Sequence, residues 1–419
     1  MFDIFEKQES EVRSYCRKFP VSFKRAQNSL VYSVDNERYI DFFAGAGALN
    51  FGHNNPYIKN KVIEFLKNDN VIQMLDMYTP TSEDFLKTMK EKYFEPKNLD
   101  YKIMHCSPSG TNSVEAALKL ARKNKKRTNI LAFTGSYHGQ SLGGQAVSSG
   151  VTSRHSGVPL TNVSFIPYAT DLETEEKSLN YFRWILSDDH SGVDKPAAVI
   201  LETVQGEGGI KIASNEWLQG VRKICDDNDI LMIVDEIQSG VYRTGDFFSW
   251  ERAGIVPDMV CVAKSIGGLG LPISLLFIKS EYDIFGPGEH SGTFRGNQLS
   301  LLGCIAAMEY AADNNLDKEV RRKGEIVKEF INDKVLPLDN RLEFRNLGLF
   351  CGIDFIGIDY RLAAKTREIC FKNNLIIDVC GRDGGVLKIL PPLTIEDNVL
   401  IEGLEIIEKS IKTVLSSLK

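Results

Sequence analysis

The fold is decided by residues 230–245, "ILMIVDEIQSGVYRTG". Five apolar residues lead directly into the carboxylates of Asp235 and Glu236. The apolar run predicts a buried strand, so both acids lie where that strand leaves the core. An unpaired carboxylate beside a core is strongly destabilising unless it takes up a proton. Asp235 is therefore expected to face a positive charge.

Other apolar runs alternate with helix-like segments between about residues 100 and 310; they cover 129–134, 197–204, 258–264 and 273–278. Runs rich in Val, Ile and Leu that alternate with helices predict an α/β fold with a mostly parallel sheet covered on both faces. Glu202, Asp235 and Lys264 end three of the runs. Ligands of such sheets bind beyond the carboxyl ends of the strands, so these three groups predict one shared site.

The pattern changes after residue 310, where charged amphipathic helices and alternating strands follow. At 419 residues the chain is too long for one ordinary core. We predict a large domain over residues 51–310 and a small α+β domain over 311–419. Residues 1–50 are expected to form an N-terminal segment that packs with the small domain.

Composition excludes several classes of protein. The net charge of −6 argues against a nucleic acid as the main partner. No apolar stretch approaches the ~18 residues that a membrane span needs. The eight cysteines contain no CxxC pair, which favours a reduced, cytoplasmic protein, and the six histidines show no metal-ligand spacing, so we predict no metal site.

An anion site is predicted at Ser109, Gly110 and Thr111, immediately before an amphipathic helix. Backbone N–H groups and hydroxyls at a helix N-terminus bind anions readily. Asn112 and Glu115 have the spacing of a capping pair. The alternative is an ordinary capped helix without a ligand. No nucleotide-binding glycine motif is present.

Lys264 lies between an apolar run and a glycine-rich turn, "KSIGGLG". It could be an ion-pair partner or extend to the surface, but a desolvated lysine at a strand end can also act as an amine nucleophile. An anion site, a carboxylate and a lysine together are what pyridoxal 5′-phosphate (PLP) requires. Asp235 would then face the protonated pyridine nitrogen of the cofactor.

Six motifs resemble those of the class III (ω-amino) aminotransferases of PLP fold type I, in the same order along nearly the whole chain. They are "SGTNSVEAALKLAR", "SYHG", "ETVQGEGG", "DEIQSGVYRTG", "AKSIGG" and "GTFRGN". The resemblance implies that Lys264 binds PLP covalently and that Asp235 pairs with the pyridinium. It implies small-molecule amino acid and keto acid substrates.

The resemblance assigns further residues to the cofactor: Ser109, Gly110 and Thr111 to the phosphate, Tyr137 to the ring face with His138 beside it, and Gln238 to the ring hydroxyl. Thr293 would complete the phosphate site of a neighbouring subunit, which implies at least a homodimer. Glu202 and Glu207 would border the substrate pocket.

Three segments, 41–56, 270–275 and 287–297, resemble the subgroup that transfers the amino group of L-glutamate to L-aspartate 4-semialdehyde. The implied products are 2-oxoglutarate and L-2,4-diaminobutyrate, which enters ectoine, siderophore or peptide-antibiotic biosynthesis. An aminotransferase for another terminal amine (ornithine, acetylornithine or 4-aminobutyrate), an aminomutase or racemase, and a PLP-binding regulator without turnover are the alternatives.

Two positions depart from the wider family. Lys388 replaces an arginine that clamps the substrate carboxylate, and lysine offers a point charge where arginine offers a planar fork. The subgroup also has lysine there, although a surface lysine is the alternative. Tyr242 replaces a glycine, so the local turn has to tolerate a Cβ. We expect Glu207 to act as a switch that pairs with a cation in one half-reaction and releases it in the other.

Overall fold

The computed structural model describes residues 3–150, 154 and 160–418. Its strands, numbered in chain order, are β1 (Phe23–Gln27), β2 (Leu30–Ser33), β3 (Arg38–Asp41), β4 (Tyr101–His105), β5 (Ile130–Phe133), β6 (Val163–Ile166), β7 (Ala198–Leu201), β8 (Val204–Gln205), β9 (Lys211–Ile212), β10 (Leu231–Asp235), β11 (Met259–Ala263), β12 (Ser274–Lys279), β13 (Glu343–Leu347), β14 (Phe350–Asp354), β15 (Leu375–Ile376), β16 (Asp378–Cys380) and β17 (Val386–Ile389).

The α-helices, numbered in the same way, are α1 (Asp3–Gln8), α2 (Tyr15–Lys18), α3 (Pro56–Lys67), α4 (Pro80–Met89), α5 (Gly110–Lys125), α6 (Leu142–Val147), α7 (Glu175–Ser187), α8 (Asn215–Asp227), α9 (Gln298–Asp313), α10 (Leu316–Phe330), α11 (Arg361–Lys372) and α12 (Asp397–Ser416). A further helical turn, Ala44–Gly47, contains left-handed residues and is described with the site. Among the described residues, every helix is too short or too polar to cross a bilayer.

A seven-stranded sheet carries the core, in the order β4-β12-β11-β10-β7-β5-β6. The predicted, mostly parallel sheet is confirmed: β11, β10, β7, β5 and β6 pair in parallel. Only β12 pairs in the antiparallel direction with both of its neighbours. All five predicted apolar runs are strands of this sheet, whereas β4 and β6 were not predicted because neither forms a continuous apolar run.

Helices cover this sheet through apolar faces that the sequence encodes. In α5 the residues at helical spacing, Val114, Ala117, Leu118 and Ala121, are all buried, and they pack toward β11 and β12. Helix α9 is apolar on all sides and is accordingly buried, packed between α3 and α4. These contacts fix the carboxyl ends of β10 and β11 relative to the start of α5.

The N-terminal residues pack against the C-terminal part of the chain. Strand β3 pairs in parallel with β15, and Lys18 forms an ion pair of 2.8 Å with Asp378. A separate sheet of four strands, β13-β14-β17-β16, lies in the C-terminal part. This arrangement fits the expected small α+β domain, while the boundaries at residues 50 and 310 stay a prediction.

Candidate active site

Three adjacent parallel strands bring the predicted ionisable groups together. Glu202 follows β7, Asp235 ends β10, and Lys264 follows β11. They line one cavity of about 460 Å³. The shared site predicted from the strand ends is therefore present, and its wall also includes Ser109, Gly110, Thr111, Tyr137, His138, Glu207 and Gln238.

Asp235 has a buried histidine as its neighbour in the structure. Its Oδ2 lies 2.7 Å from Nδ1 of His138, and its Oδ1 accepts a hydrogen bond of 3.0 Å from the backbone N–H of Ile237. Burial alone would lower the pKa of His138, but the hydrogen bond and charge of Asp235 raise it. Nε2 of His138 has no hydrogen-bond partner among the described residues. The buried pair of Asp235 and His138 thus keeps one polar atom, Nε2 of His138, without a partner within the described residues.

Lys264 has the environment expected of an amine nucleophile. Its side chain projects into the cavity from a backbone in the left-handed region (φ 54°). Nζ donates a hydrogen bond of 2.9 Å to the carbonyl oxygen of Ala46. Burial lowers its pKa to about 8, with the charge of Glu207 opposing the change. Near neutral pH a useful fraction of the amine is therefore uncharged.

The start of α5 lines the cavity, so the anion site predicted there stays a prediction with suitable geometry. Ser109 precedes the helix, and its backbone N–H donates to Oδ1 of Asn112 at 3.1 Å. The predicted capping pair of Asn112 with Glu115 is wrong. Glu115 instead accepts a hydrogen bond of 2.7 Å from the backbone N–H of Gly143, a contact between distant residues that local spacing does not reveal.

Gly110 is required here by its surroundings. A Cβ at this position would lie 2.9 Å from Cδ1 of Ile237, which is closer than real Cβ contacts. Thr111 places its hydroxyl 2.6 Å from the hydroxyl of Ser141. The bare backbone of Gly110 leaves the N-terminus of a sixteen-residue helix accessible from the cavity.

Tyr137 and Glu202 line the cavity and are joined by a hydrogen bond. The backbone N–H of Tyr137 donates to Oε2 of Glu202 at 3.2 Å, and the Tyr137 ring is partly exposed to the cavity. Burial raises the pKa of Glu202 to about 7, and the nearby charge of Asp235 adds to the increase. Glu202 is therefore a buried acid that titrates near neutral pH.

Lys388 is not a surface residue. It lies in β17 with 3% of its side chain exposed, and its Nζ is 2.5 Å from Oε1 of Glu207. Burial would lower the pKa of Lys388, but the charge of Glu207 raises it. Burial would raise the pKa of Glu207, but Lys388 keeps it below its ordinary value. The two residues thus form a neutral ion pair that the cavity can reach through Glu207.

Gln238 connects this pair to the lysine. Its Nε2 donates to the carbonyl oxygen of Ala46 at 3.1 Å and lies 3.4 Å from Oε1 of Glu207. The contribution of Ala46 was missed in the sequence. The run of small residues "AGAG" at 44–47 was a usable signal, because small residues permit close approach of the backbone.

Thr293 lies exposed outside this cavity, and its carbonyl oxygen accepts a hydrogen bond from the side chain of Gln73. Tyr242 lies in a left-handed turn with φ of 66°, so the turn accommodates a Cβ, as its sequence requires. Its hydroxyl lies 2.8 Å from that of Tyr93, and its ring packs against Phe247. These contacts with Tyr93 and Phe247 stabilise the turn and offset its strain.

The donor set fits PLP. An open helix N-terminus suits the phosphate, and the buried Asp235 suits a protonated ring nitrogen. Lys264, with its lowered pKa, suits the aldehyde. At Gly110 only glycine fits beside Ile237, which leaves the backbone at the start of α5 bare.

Comparisons with known proteins agree with this geometry. A sequence profile described as aminotransferase class-III matches residues 13–411. The chain is 45% identical over 419 residues to a diaminobutyrate–2-oxoglutarate transaminase of Sporosarcina pasteurii, covering 99% of this chain and 97% of the relative. A protein of the same name from Wolinella succinogenes is 45% identical over 417 residues, covering 98% of this chain and 96% of the relative.

Solved structures share the fold. A transaminase from the marine bacterium Virgibacillus superposes with a TM-score of 0.89 at 19% identity, covering 100% of this chain and 99% of the other. An ornithine aminotransferase from Toxoplasma gondii, described with partial occupancy of PLP at its active site, superposes with a TM-score of 0.86 at 22% identity, covering 99% and 94%.

Proposed function

Since the chain belongs to the class III aminotransferases, a PLP-dependent family, we propose that it transfers the amino group of L-glutamate to the terminal carbon of L-aspartate 4-semialdehyde. The products would be 2-oxoglutarate and L-2,4-diaminobutyrate. The name shared by the relatives at about 45% identity supports this substrate pair. The observation in the structure that carries it is the Glu207–Lys388 ion pair at the cavity wall.

The site residues divide between holding the cofactor and moving protons. Lys264 would bind PLP covalently, Asp235 would keep the ring nitrogen protonated, and His138 would hold Asp235 in place. The phosphate would lie at Ser109, Gly110 and Thr111, the ring against Tyr137, and the ring hydroxyl near Gln238. When bound, PLP supplies an electron sink for the bond that breaks at the amino-bearing carbon.

Lys264 also acts as the base. Its amine, when free, takes the proton from the amino-bearing carbon of the donor and returns it on the cofactor side. The lowered pKa makes the neutral, proton-accepting form available near neutral pH. Glu202 borders the same space and could donate or accept a proton near pH 7.

The two substrates place different groups beside the reacting carbon. Glutamate reacts at a carbon that carries a carboxylate, whereas diaminobutyrate reacts at its terminal carbon, which carries none. If Glu207 leaves Lys388, the lysine can bind the α-carboxylate of glutamate. If Glu207 stays, the pair is neutral and suits diaminobutyrate, whose reacting terminal carbon carries no carboxylate. One pocket then serves both half-reactions.

The proposal includes a homodimer in which Thr293 reaches the neighbouring site. Segment 71–78 exposes apolar side chains beside the Thr293 segment: Val71, Ile72, Leu75, Met77 and Tyr78, together with Phe294. The backbone N–H of Gln298, the first residue of α9 and five residues after Thr293, donates to the carbonyl oxygen of Ile72 and holds the two parts together. Exposed apolar patches of this kind mark subunit interfaces, and a second copy of the chain is the occupant proposed.

A cytoplasmic location and a role in ectoine biosynthesis belong to the same proposal. All eight cysteines are free, and seven of them are buried, which suits a reducing compartment.

A donor panel tests the substrate assignment. Purified enzyme with PLP and 2-oxoglutarate would be offered L-2,4-diaminobutyrate, L-ornithine, N-acetyl-L-ornithine and 4-aminobutyrate separately, and the glutamate formed would be measured. We expect diaminobutyrate to have the highest kcat/KM. A higher value for another donor would overturn the substrate and keep the family. An aminomutase would consume diaminobutyrate without 2-oxoglutarate, and a regulator would bind PLP but form no glutamate.

A further inference from the structure

We propose that the turn Ala44–Gly47 is a positioning device for Lys264: its Ala46 carbonyl oxygen holds the free amine of the lysine and the amide of Gln238 at one point. This inference rests on the proposed role of Lys264 as the cofactor-binding lysine. It assigns a function to a strained backbone segment that carries no reactive side chain.

The turn has an unusual backbone. Residues 44 to 47 all have positive φ, with values of 47°, 58°, 57° and 83°. Glycine accepts this region readily, but Ala44 and Ala46 carry a Cβ that makes it unfavourable. Consecutive left-handed residues that include two alanines persist only where the surrounding structure fixes them, and such strain clusters at functional sites.

Both ends of the turn are fixed by side chains. At the start, Oδ1 of Asp41 accepts hydrogen bonds of 2.8 Å from the backbone N–H groups of Phe43 and Ala44. At the end, the hydroxyl of Ser265 donates to the carbonyl oxygen of Gly47 at 2.7 Å and accepts from the N–H of Asn50 at 3.1 Å. Ser265 follows Lys264 directly, so the turn and the lysine share an anchor.

A second anchor holds Asn50, three residues after the turn. The buried guanidinium of Arg243 donates to Oδ1 of Asn50 at 2.6 Å, and Nδ2 of Asn50 donates to the carbonyl oxygen of Val241. Arg243 also donates to the carbonyl oxygens of Leu349 and Pro391. Through Asn50 and Arg243, the chain that leaves the turn is therefore fixed to the segments around Val241, Leu349 and Pro391.

The geometry has a direct consequence for Lys264. Its amine and the amide of Gln238 both donate to the same oxygen, at 2.9 and 3.1 Å. With one N–H directed at Ala46, the lone pair of the neutral amine has to point elsewhere. A carbonyl acceptor also favours the charged amine over the neutral one. The turn thus sets both the direction and the proton affinity of the amine.

Other charges face Lys264 from the neighbouring elements. Glu202 follows β7, Glu207 follows β8, Asp235 ends β10, and Lys388 lies in β17. A test of the turn has to leave all four unchanged. Gly45 allows this, because it is exposed and an added Cβ would meet only ordinary contacts with Ala48 and Leu49, the nearest at 3.5 Å. Gly45→Ala therefore strains the left-handed turn and leaves these four side chains unchanged.

The matched control is Gly254→Ala. Gly254 is also exposed, has φ of 63°, and has open space where a Cβ would lie. The experiment mixes each apoprotein with PLP and follows the growth of the visible band as a function of pH. The melting temperature of each variant measures the loss of stability that both substitutions cause by placing alanine at a positive φ.

We expect Gly45→Ala to lower the pH midpoint of PLP capture by about 0.3 to 1 unit and to slow the plateau rate about three- to tenfold, as for one weakened hydrogen bond. Gly254→Ala should keep the wild-type midpoint and rate despite a similar loss in melting temperature. Ser265→Ala removes the other anchor and should shift the midpoint in the same direction as Gly45→Ala. Ser265→Thr, which keeps the hydroxyl, should retain the wild-type midpoint.

Wild-type midpoints in both Gly45→Ala and Ser265→Ala would overturn the proposal, as would an equal shift in Gly254→Ala. Lys264→Ala separates this outcome from a failure of the assigned lysine. If that variant still retains PLP covalently after borohydride treatment, the role of Lys264 is wrong and the role of the turn fails with it.

Discussion

Replacing Glu207 by glutamine is expected to impair the two half-reactions unequally. The substitution keeps the size of the side chain and removes its charge, so Lys388 loses its counterion. Lys388 has only 3% of its side chain exposed, whereas Glu207 has 38% exposed. A cation left unpaired in a buried site is strongly destabilised.

The magnitude follows from this burial. Removing one partner of a fully buried pair costs about 3–5 kcal/mol. The exposure of Glu207 means that solvent already screens part of the interaction, so we discount the cost to about 1–2 kcal/mol, or roughly 5- to 30-fold in rate. L-Glutamate supplies a carboxylate to Lys388 and should avoid this loss. L-2,4-Diaminobutyrate supplies none beside its terminal carbon and should bear it.

Single-turnover absorbance provides the assay. Each donor is mixed alone with the PLP-loaded enzyme, and the decay of the visible band is followed. The rate with diaminobutyrate should fall about 5- to 30-fold in Glu207→Gln, while the rate with glutamate stays within about threefold of wild type. Equal impairment with both donors would refute the switching role of Glu207.

Four other predictions follow from the charges and packing. The rate of the glutamate half-reaction should rise with pH through about 8, because the neutral amine of Lys264 is the base; a flat single-turnover profile from pH 7 to 9 would contradict this assignment. Burial raises the pKa of Glu236 from 4.5 to about 7, so its ionisation removes folding stability as pH rises between those values; Glu236→Gln should abolish that loss, on the order of 2 kcal/mol, in urea unfolding at pH 5 and pH 8. Gly110→Ala should weaken PLP binding about tenfold in an absorbance titration, because its Cβ would clash with Ile237 and displace the backbone N–H groups proposed to bind the phosphate; an unchanged affinity would contradict a phosphate site at Gly110. Tyr78→Asp should shift the protein toward monomer in sedimentation velocity, since a charge would replace a fully exposed aromatic ring in the proposed interface; an unchanged sedimentation coefficient would exclude that surface.

The central strands and the site were predictable because they depend on local sequence. Apolar runs ending in Asp235 and Lys264 identify buried strands and the edge where their polar ends meet. The direction of β12 was not predictable, since an apolar run of the same composition serves in either direction once both of its faces are buried.

Contacts between distant residues account for what the sequence did not reveal. The partner of Glu115 is Gly143, and the partner of the Tyr242 hydroxyl is Tyr93. The left-handed turn at Ala46 depends on Ser265, more than 200 residues away. Such conformations are stabilised by tertiary contacts that override local preference, so no local pattern predicts them.

The most direct test of the proposed function is a titration of the PLP-loaded enzyme with L-2,4-diaminobutyrate, without any keto acid, followed by visible absorbance. We expect the band of the enzyme-bound cofactor to disappear and to return when 2-oxoglutarate is added. A band that ignores diaminobutyrate but responds to ornithine or 4-aminobutyrate would contradict the proposed substrate.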